Sequence, residues 1–171
     1  MCFALAAAAA IIPARAEQPA PRPVSQEAIQ PDVSVLAGKW TYRSFRNIST
    51  SVSGDPKKAL ELIFAEAVFT FEPLSSTSFK GSIDWADGGL DLRGTLHAGS
   101  GDVPASVDIV GLGRPNTKTA GWEYDYSAQL AHQWPKGVAQ IPALVGSVIR
   151  AKPHGSAPAG YVASFIAVKQ P

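Results

Sequence analysis

The stretch LAGKWTYRSF, residues 36–45, places a tryptophan two residues after a glycine and continues with alternating polar and aromatic residues. Trp40, Tyr42 and Ser44 occupy every second position, so in an extended strand their side chains would lie on one face. This alternation predicts the first strand of a β-sheet, beginning at Gly38.

The same rhythm of short apolar runs continues to the end of the chain. Runs rich in β-branched, aromatic and leucine residues predict eight strands, at residues 38–45, 60–71, 78–85, 90–97, 105–112, 122–130, 144–150 and 161–168. Turn signals such as SGDP, ADGG, GSGD and GRPNTKTAG separate them. Only residues 56–62 are predicted to contain a helical turn.

Alternation along these strands predicts one buried face and one wet face. The clearest apolar sets are Leu90, Leu92 and Leu96 in one strand and Trp122, Tyr124, Tyr126, Ala128 and Leu130 in another. Eight such strands with short connections can close into a barrel or stack as a sandwich. Because closure removes both exposed edges, we favour an all-β fold, an eight-stranded antiparallel up-and-down β-barrel.

The N-terminal region carries the pattern of a signal peptide. Residues 3–12 form an uncharged apolar run, which is followed by Pro13 and the cleavage pattern Ala14-Arg15-Ala16. The run is too short to span a bilayer, so no membrane span is predicted. The sequence thus predicts a signal peptide at residues 1–16, a proline-rich disordered tether at 17–32 and a single barrel domain at 33–171, exported to the periplasm or secreted.

Composition excludes several kinds of partner and site. The net charge is +1 and basic residues are not clustered, which argues against nucleic acid. The single cysteine, Cys2, would leave with the signal peptide, so the mature chain would have neither a disulfide nor a thiolate metal site. His97, His132 and His154 lack the spacing of a ligand pair, and no metal or cofactor is predicted.

The motif LAGKWT resembles the first strand of the lipocalin and avidin group of calycin-type barrels. In that group a Gly-x-Trp marks the strand whose tryptophan plugs the closed end, so the resemblance implies this role for Trp40. Tyr42 and Arg46 stand where the avidin pattern places a small amide and a serine against biotin, so biotin binding is not implied. In the lipocalin pattern an arginine packs over the plug tryptophan, a role for which Arg150 and Lys169 are the candidates.

Hydroxyl groups among aromatic side chains are the candidate ligand contacts. Tyr42 and Ser44 share the Trp40 face, and with Tyr124 and Tyr126 they could place hydroxyls in a cavity. The alternative is that these side chains simply fill the core.

A long segment near the C-terminal third could cover such a cavity. Residues 131–146 carry Trp134, two prolines and several aliphatic residues, which predicts either a lid at the open mouth or a loop packed on the outer wall or at a homo-oligomer contact. Trp134 is therefore a further candidate for ligand binding.

Carboxylates on the predicted strands offer a second kind of chemistry. Asp84, Asp91, Glu123 and Asp125 could supply an acid and base pair, although alternating charges are more often the solvated outer face.

Taken together, the sequence predicts an exported barrel that binds a small apolar or aromatic molecule. The alternatives are a barrel-type cyclase or isomerase and a structural or interaction module with a filled barrel. A filled interior would favour the structural module, and an open interior with paired ionisable groups would favour the enzyme.

Overall fold

Eight antiparallel strands close into one up-and-down barrel in the computed structural model, which describes residues 32–49, 52–100, 103–133 and 136–171. Each strand pairs with its neighbours in sequence, and the last pairs with the first, as predicted. The strands are β1 (Gly38–Arg46), β2 (Ile63–Pro73), β3 (Ser78–Trp85), β4 (Gly88–His97), β5 (Ser106–Gly113), β6 (Glu123–Leu130), β7 (Ala143–Arg150) and β8 (Val162–Lys169). Closure satisfies the backbone groups that an open sheet would expose at its edges.

The predicted helical turn is confirmed, and it shortens one predicted strand. The helix α1 (Pro56–Glu61) follows β1, and the Asp55 carboxylate caps it by accepting a hydrogen bond from the Lys57 backbone N–H. Proline in its first turn fits because that position needs no donor. The second strand therefore starts at Ile63 rather than at residue 60.

The predicted separation of faces is confirmed in the strands where it was clearest. Leu90, Leu92 and Leu96 of β4 are buried, and Tyr124 and Tyr126 of β6 are buried in the same way. Because consecutive strands run in opposite directions, odd strands begin where even strands end. The barrel thus has two different ends, one at Trp40 and one at the opposite ends of the same strands.

Trp40 closes the first of these ends. Its side chain is fully buried, and its Nε1 donates a hydrogen bond of 2.8 Å to the carbonyl of Leu36. Leu36 belongs to a short 3₁₀ turn, Val33–Leu36, whose buried Val33 and Leu36 cover the end of the barrel. Lys169 lies 5.9 Å from the Trp40 ring and donates from Nζ to the carbonyl of Val35. Lys169 therefore occupies the position over the tryptophan.

Phenylalanine rings fill the half of the barrel next to Trp40. Phe69 and Phe71 stack with ring centroids 5.1 Å apart, and Phe79 meets Phe71 edge to face at 5.1 Å. Gly94 leaves room for this packing, since a Cβ there would lie 2.3 Å from Cζ of Phe79. We call this filled half the closed half.

The connection between β6 and β7 lies at the closed end. Leu130 ends β6 and Ala143 begins β7, and both strand ends are at the side of the barrel that Trp40 closes. A lid over the opposite end was therefore the wrong expectation for residues 131–146. Trp134 itself lies outside the described residues.

The predicted N-terminal features also fall outside the described part of the chain. The predicted signal peptide at 1–16 and all of the predicted tether at 17–32 except Asp32 lie there. Among the described residues, no helix has the length and apolar character needed to cross a membrane.

Candidate functional site

A cavity of about 490 Å³ occupies the half of the barrel opposite Trp40. Its walls are mainly apolar and come from most of the strands: Tyr42, Ala67, Ile83, Leu90, Tyr126 and Val148. Small residues make this space. On β2, Ala67 faces the cavity, whereas Phe69 and Phe71 on the same strand fill the closed half. The interior is therefore filled at one end and open at the other.

The structure brings together most of the residues that the sequence singled out. Tyr42, Tyr124 and Tyr126 line the cavity. Ser44 is fully buried on the same face, where its hydroxyl donates to the carbonyl of Ala65 at 3.4 Å. Their role in binding a ligand stays a prediction.

Two of the tyrosines are held in their neutral form. Burial raises the pKa of Tyr42, although a hydrogen bond with Ser44 acts in the opposite direction. Burial also raises the pKa of Tyr126, and the neighbouring Tyr42 adds to this effect. Both hydroxyls are therefore neutral hydrogen-bonding groups inside an apolar wall.

A buried arginine lies at the mouth of the cavity. Arg150, the last residue of β7, is 7% exposed and lines the cavity. Its Nε donates to the Tyr124 hydroxyl at 3.2 Å, and its Nη1 donates to the carbonyl of Pro158 at 3.0 Å. The guanidinium also lies 5.4 Å from the ring of Tyr161. These contacts fix the cation against the cavity wall.

His154 continues this chain of hydrogen bonds. Its Nε2 lies 2.8 Å from the Tyr124 hydroxyl, which already accepts from Arg150 and so can donate to the histidine. A neutral imidazole with its proton on Nδ1 suits this geometry. Burial lowers the pKa of His154, and the positive charge of Arg150 lowers it further. Both effects favour the neutral imidazole, which can accept a hydrogen bond from the Tyr124 hydroxyl.

Stacked aromatic rings form one side of the mouth. Trp122 stacks on His154 with ring centroids 3.8 Å apart, and Trp85 stacks on Trp122 with ring centroids 6.3 Å apart. All three line the cavity. They give the mouth a flat and largely apolar rim.

A β-bulge supplies another residue of the cavity lining. Ser44 pairs with Ala65 and Phe45 pairs with Ile63, so Phe64 is the extra residue of β2. A bulge redirects the side chain of the residue it inserts. Phe64 thereby lines the cavity and stacks on Tyr161 at 5.3 Å.

The carboxylates considered for acid and base chemistry lie on the outer face instead. Arg114 binds Asp84 through Nη1 and Asp91 through Nε, each at 2.8 Å, and Glu123 pairs with Lys152. Burial acts to raise the pKa of Asp84, but hydrogen bonds from Ser82 and Arg114 outweigh it and the pKa is lowered. These acids therefore stabilise the outer wall of the barrel.

Two further ionisable groups, Asp125 and His97, lie outside the cavity. Asp125 is also on the outer face, where partial burial and the nearby Glu123 raise its pKa. His97 pairs with Asp108 on the outer wall. In the described parts of the chain, no group of three His, Cys, Asp or Glu side chains is placed to hold a metal ion.

Comparison of the chain with protein-family models, curated proteins and solved structures finds no match. The resemblance of LAGKWT to the lipocalin and avidin barrels therefore stays a proposal.

Sequence analysis missed several residues of the mouth. Phe64 and Trp85 were not singled out, His154 was considered only as a metal ligand, and Arg150 was considered only as a partner for Trp40. One signal could have found two of them. In an up-and-down barrel, inward residues that end odd strands meet at one end, which brings together Trp85 of β3 and Arg150 of β7. The bulge at Phe64 has no comparable signal in the sequence.

Proposed function

We propose that this protein binds a small, mainly apolar or aromatic molecule in the open half of its barrel. The observation that carries the proposal is a cavity of about 490 Å³ beside a densely packed closed half. Ligand pockets in proteins commonly measure about 300–1,000 Å³ and combine apolar walls with a few polar groups. This cavity has both features, with Tyr42, Tyr124 and Tyr126 as the polar groups among apolar neighbours.

The cavity argues against the alternative of a purely structural module with a filled barrel. Side chains alone can fill an eight-stranded barrel, as they do around Phe71 in this one. The open half departs from that pattern because Ala65 and Ala67 stand where larger residues could project inward. An interior space that larger side chains could have filled favours a ligand-binding role over a purely structural one.

Filling the cavity from its wall tests the proposal directly. We expect Ala67→Phe to weaken binding of the neutral fluorescent probe N-phenylnaphthylamine by about tenfold or more, because the new ring takes the space the probe would occupy. Val68→Phe is the matched control, since its neighbouring position faces outward. Titration of the probe's fluorescence measures both. Failure of the unmodified protein to bind the probe, or equal affinity in both variants, would contradict the proposal.

The Tyr124 and His154 pair supports a second candidate, an enzyme of the cyclase or isomerase kind. A hydroxyl hydrogen-bonded to a neutral imidazole beside a cavity can relay a proton. The two candidates differ in what becomes of the bound molecule. A binding protein would release it unchanged, whereas an enzyme would convert it and lose this ability in Tyr124→Phe.

We also propose that the protein acts outside the cytoplasm, on the apolar run and cleavage pattern at its N-terminus. Mass spectrometry of the protein from the periplasm or culture medium should then find a chain that begins near Glu17. Cytosolic protein that retains Met1 would contradict export.

A further inference from the structure

Arg150 is a buried cation that has no acidic partner among the described residues. Among the residues that the structure describes, the ion pairs do not include Arg150, although its side chain is almost completely buried. A buried charge costs far more free energy than a neutral polar group unless an opposite charge accompanies it. Burial without a carboxylate therefore suggests that the counter-charge comes from elsewhere.

The contacts that Arg150 does make leave part of its guanidinium available. A guanidinium carries five N–H groups, and those named for Arg150 use one on Nε and one on Nη1. Both acceptors are neutral oxygens, the Tyr124 hydroxyl and the Pro158 carbonyl. Since Arg150 lines the cavity, its remaining N–H groups are within reach of a bound molecule.

Two acids beside the mouth are already paired on the outer wall. Glu66 borders the cavity but forms an ion pair with Arg43, and Glu123 forms one with Lys152. Both pairs are on the solvent side of their strands. Each carboxylate is therefore neutralised by its own arginine or lysine partner and not by Arg150. The positive potential of Arg150 is therefore directed into the cavity.

We infer that the ligand is an amphipathic monocarboxylate whose carboxylate binds Arg150 and whose apolar or aromatic body enters the barrel. This inference deepens the proposed function and rests on it. A planar guanidinium matches the two oxygens of a carboxylate, and charge-assisted hydrogen bonds of this kind are about twice as strong as neutral ones. The Tyr124 hydroxyl accepts a hydrogen bond from the guanidinium, and His154 holds that hydroxyl in place.

The arrangement also sets the direction of binding. Arg150 lies at the mouth, while Ile83, Leu90 and Val148 form apolar walls. A carboxylate at the mouth would keep contact with water on one side, and the body would replace water against these walls. Reversed binding would bury the carboxylate among side chains that cannot neutralise it.

A matched pair of probes separates this inference from the proposed function. Naphthoate and naphthamide have almost the same shape, but only naphthoate is anionic at neutral pH. We expect calorimetric titration of the unmodified protein to show naphthoate binding about 10- to 100-fold more tightly. Arg150→Met should remove this preference by weakening naphthoate and leaving naphthamide within about threefold. Arg93→Met, an exposed arginine on the outer face, should preserve the preference.

The results of these titrations distinguish failure of the anionic-ligand inference from failure of the cavity-binding proposal. Equal binding of both probes would overturn the anionic ligand and leave the cavity-binding proposal standing. No binding of either probe, together with no binding of N-phenylnaphthylamine, would overturn the proposed function itself. If Arg150→Met does not fold, the preference of the unmodified protein still decides, and Arg150→Lys should retain part of it because the charge is kept.

Discussion

Trp40→Ala is expected to lower the free energy of unfolding by about 3 to 5 kcal/mol, the range for truncating a large buried aromatic side chain. The loss has several sources, because the fully buried indole contacts Phe71, lies beneath Lys169 and donates to the Leu36 carbonyl. Natural domains are stable by only about 5–15 kcal/mol, so the variant would be close to unfolding at ordinary temperatures. Urea denaturation followed by circular dichroism measures the change.

Trp85→Ala provides the control at the other end of the barrel. Trp85 is only partly buried and borders the cavity, so its removal leaves less unfilled space inside packed protein. We expect a loss of about 1 kcal/mol, in line with typical single substitutions. Equal losses for the two tryptophans, or an unchanged midpoint for Trp40→Ala, would show that Trp40 is not the plug of the barrel.

Phe69→Ala is expected to have an effect of similar size, about 3 to 5 kcal/mol, together with a change in ligand preference. Phe69 is fully buried where the closed half meets the cavity. Its ring centroid lies 4.9 Å from that of Tyr42 and 5.5 Å from that of Tyr126. Its removal would deepen the cavity toward Trp40. A longer ligand should then gain affinity, so decanol should improve relative to hexanol, as measured by competition with the fluorescent probe.

Phe79→Ala separates the two effects of this substitution. Phe79 is also almost fully buried, but its ring packs against Phe71 in the closed half, whereas the Phe69 ring packs against two tyrosines that line the cavity. It should therefore lose comparable stability without changing the preference for chain length. The same shift toward decanol in both variants would mean that the two halves of the barrel are not separate in function.

The barrel is divided into a filled closed half and an open half that holds the cavity. The sequence indicates this division only in part. Aromatic residues are present in both halves, so composition alone does not distinguish packing from a binding site. Ala65 and Ala67 on β2 face the open half, and Phe69 and Phe71 on the same strand face the closed half. The change from small to large along one strand decides where the cavity lies.

The sequence by itself determined the β architecture of this protein. Period-two alternation of apolar residues, as in Leu90, Leu92 and Leu96, specifies which face of each strand is buried. Turn residues between the runs fix where the strands end, because Gly, Pro, Asn and Asp adopt backbone conformations that strands do not. Both signals are local, so they can be recognised without knowledge of the tertiary structure.

Only the tertiary structure decided the composition of the mouth. Arg150 and Tyr124 meet because β6 and β7 pair in one register, in which these two residues are opposite each other. Phe64 enters the site through a bulge, and His154 reaches Trp122 from a loop. Such contacts depend on register, bulges and loop closure, which join residues far apart in the chain and leave no local pattern in the sequence.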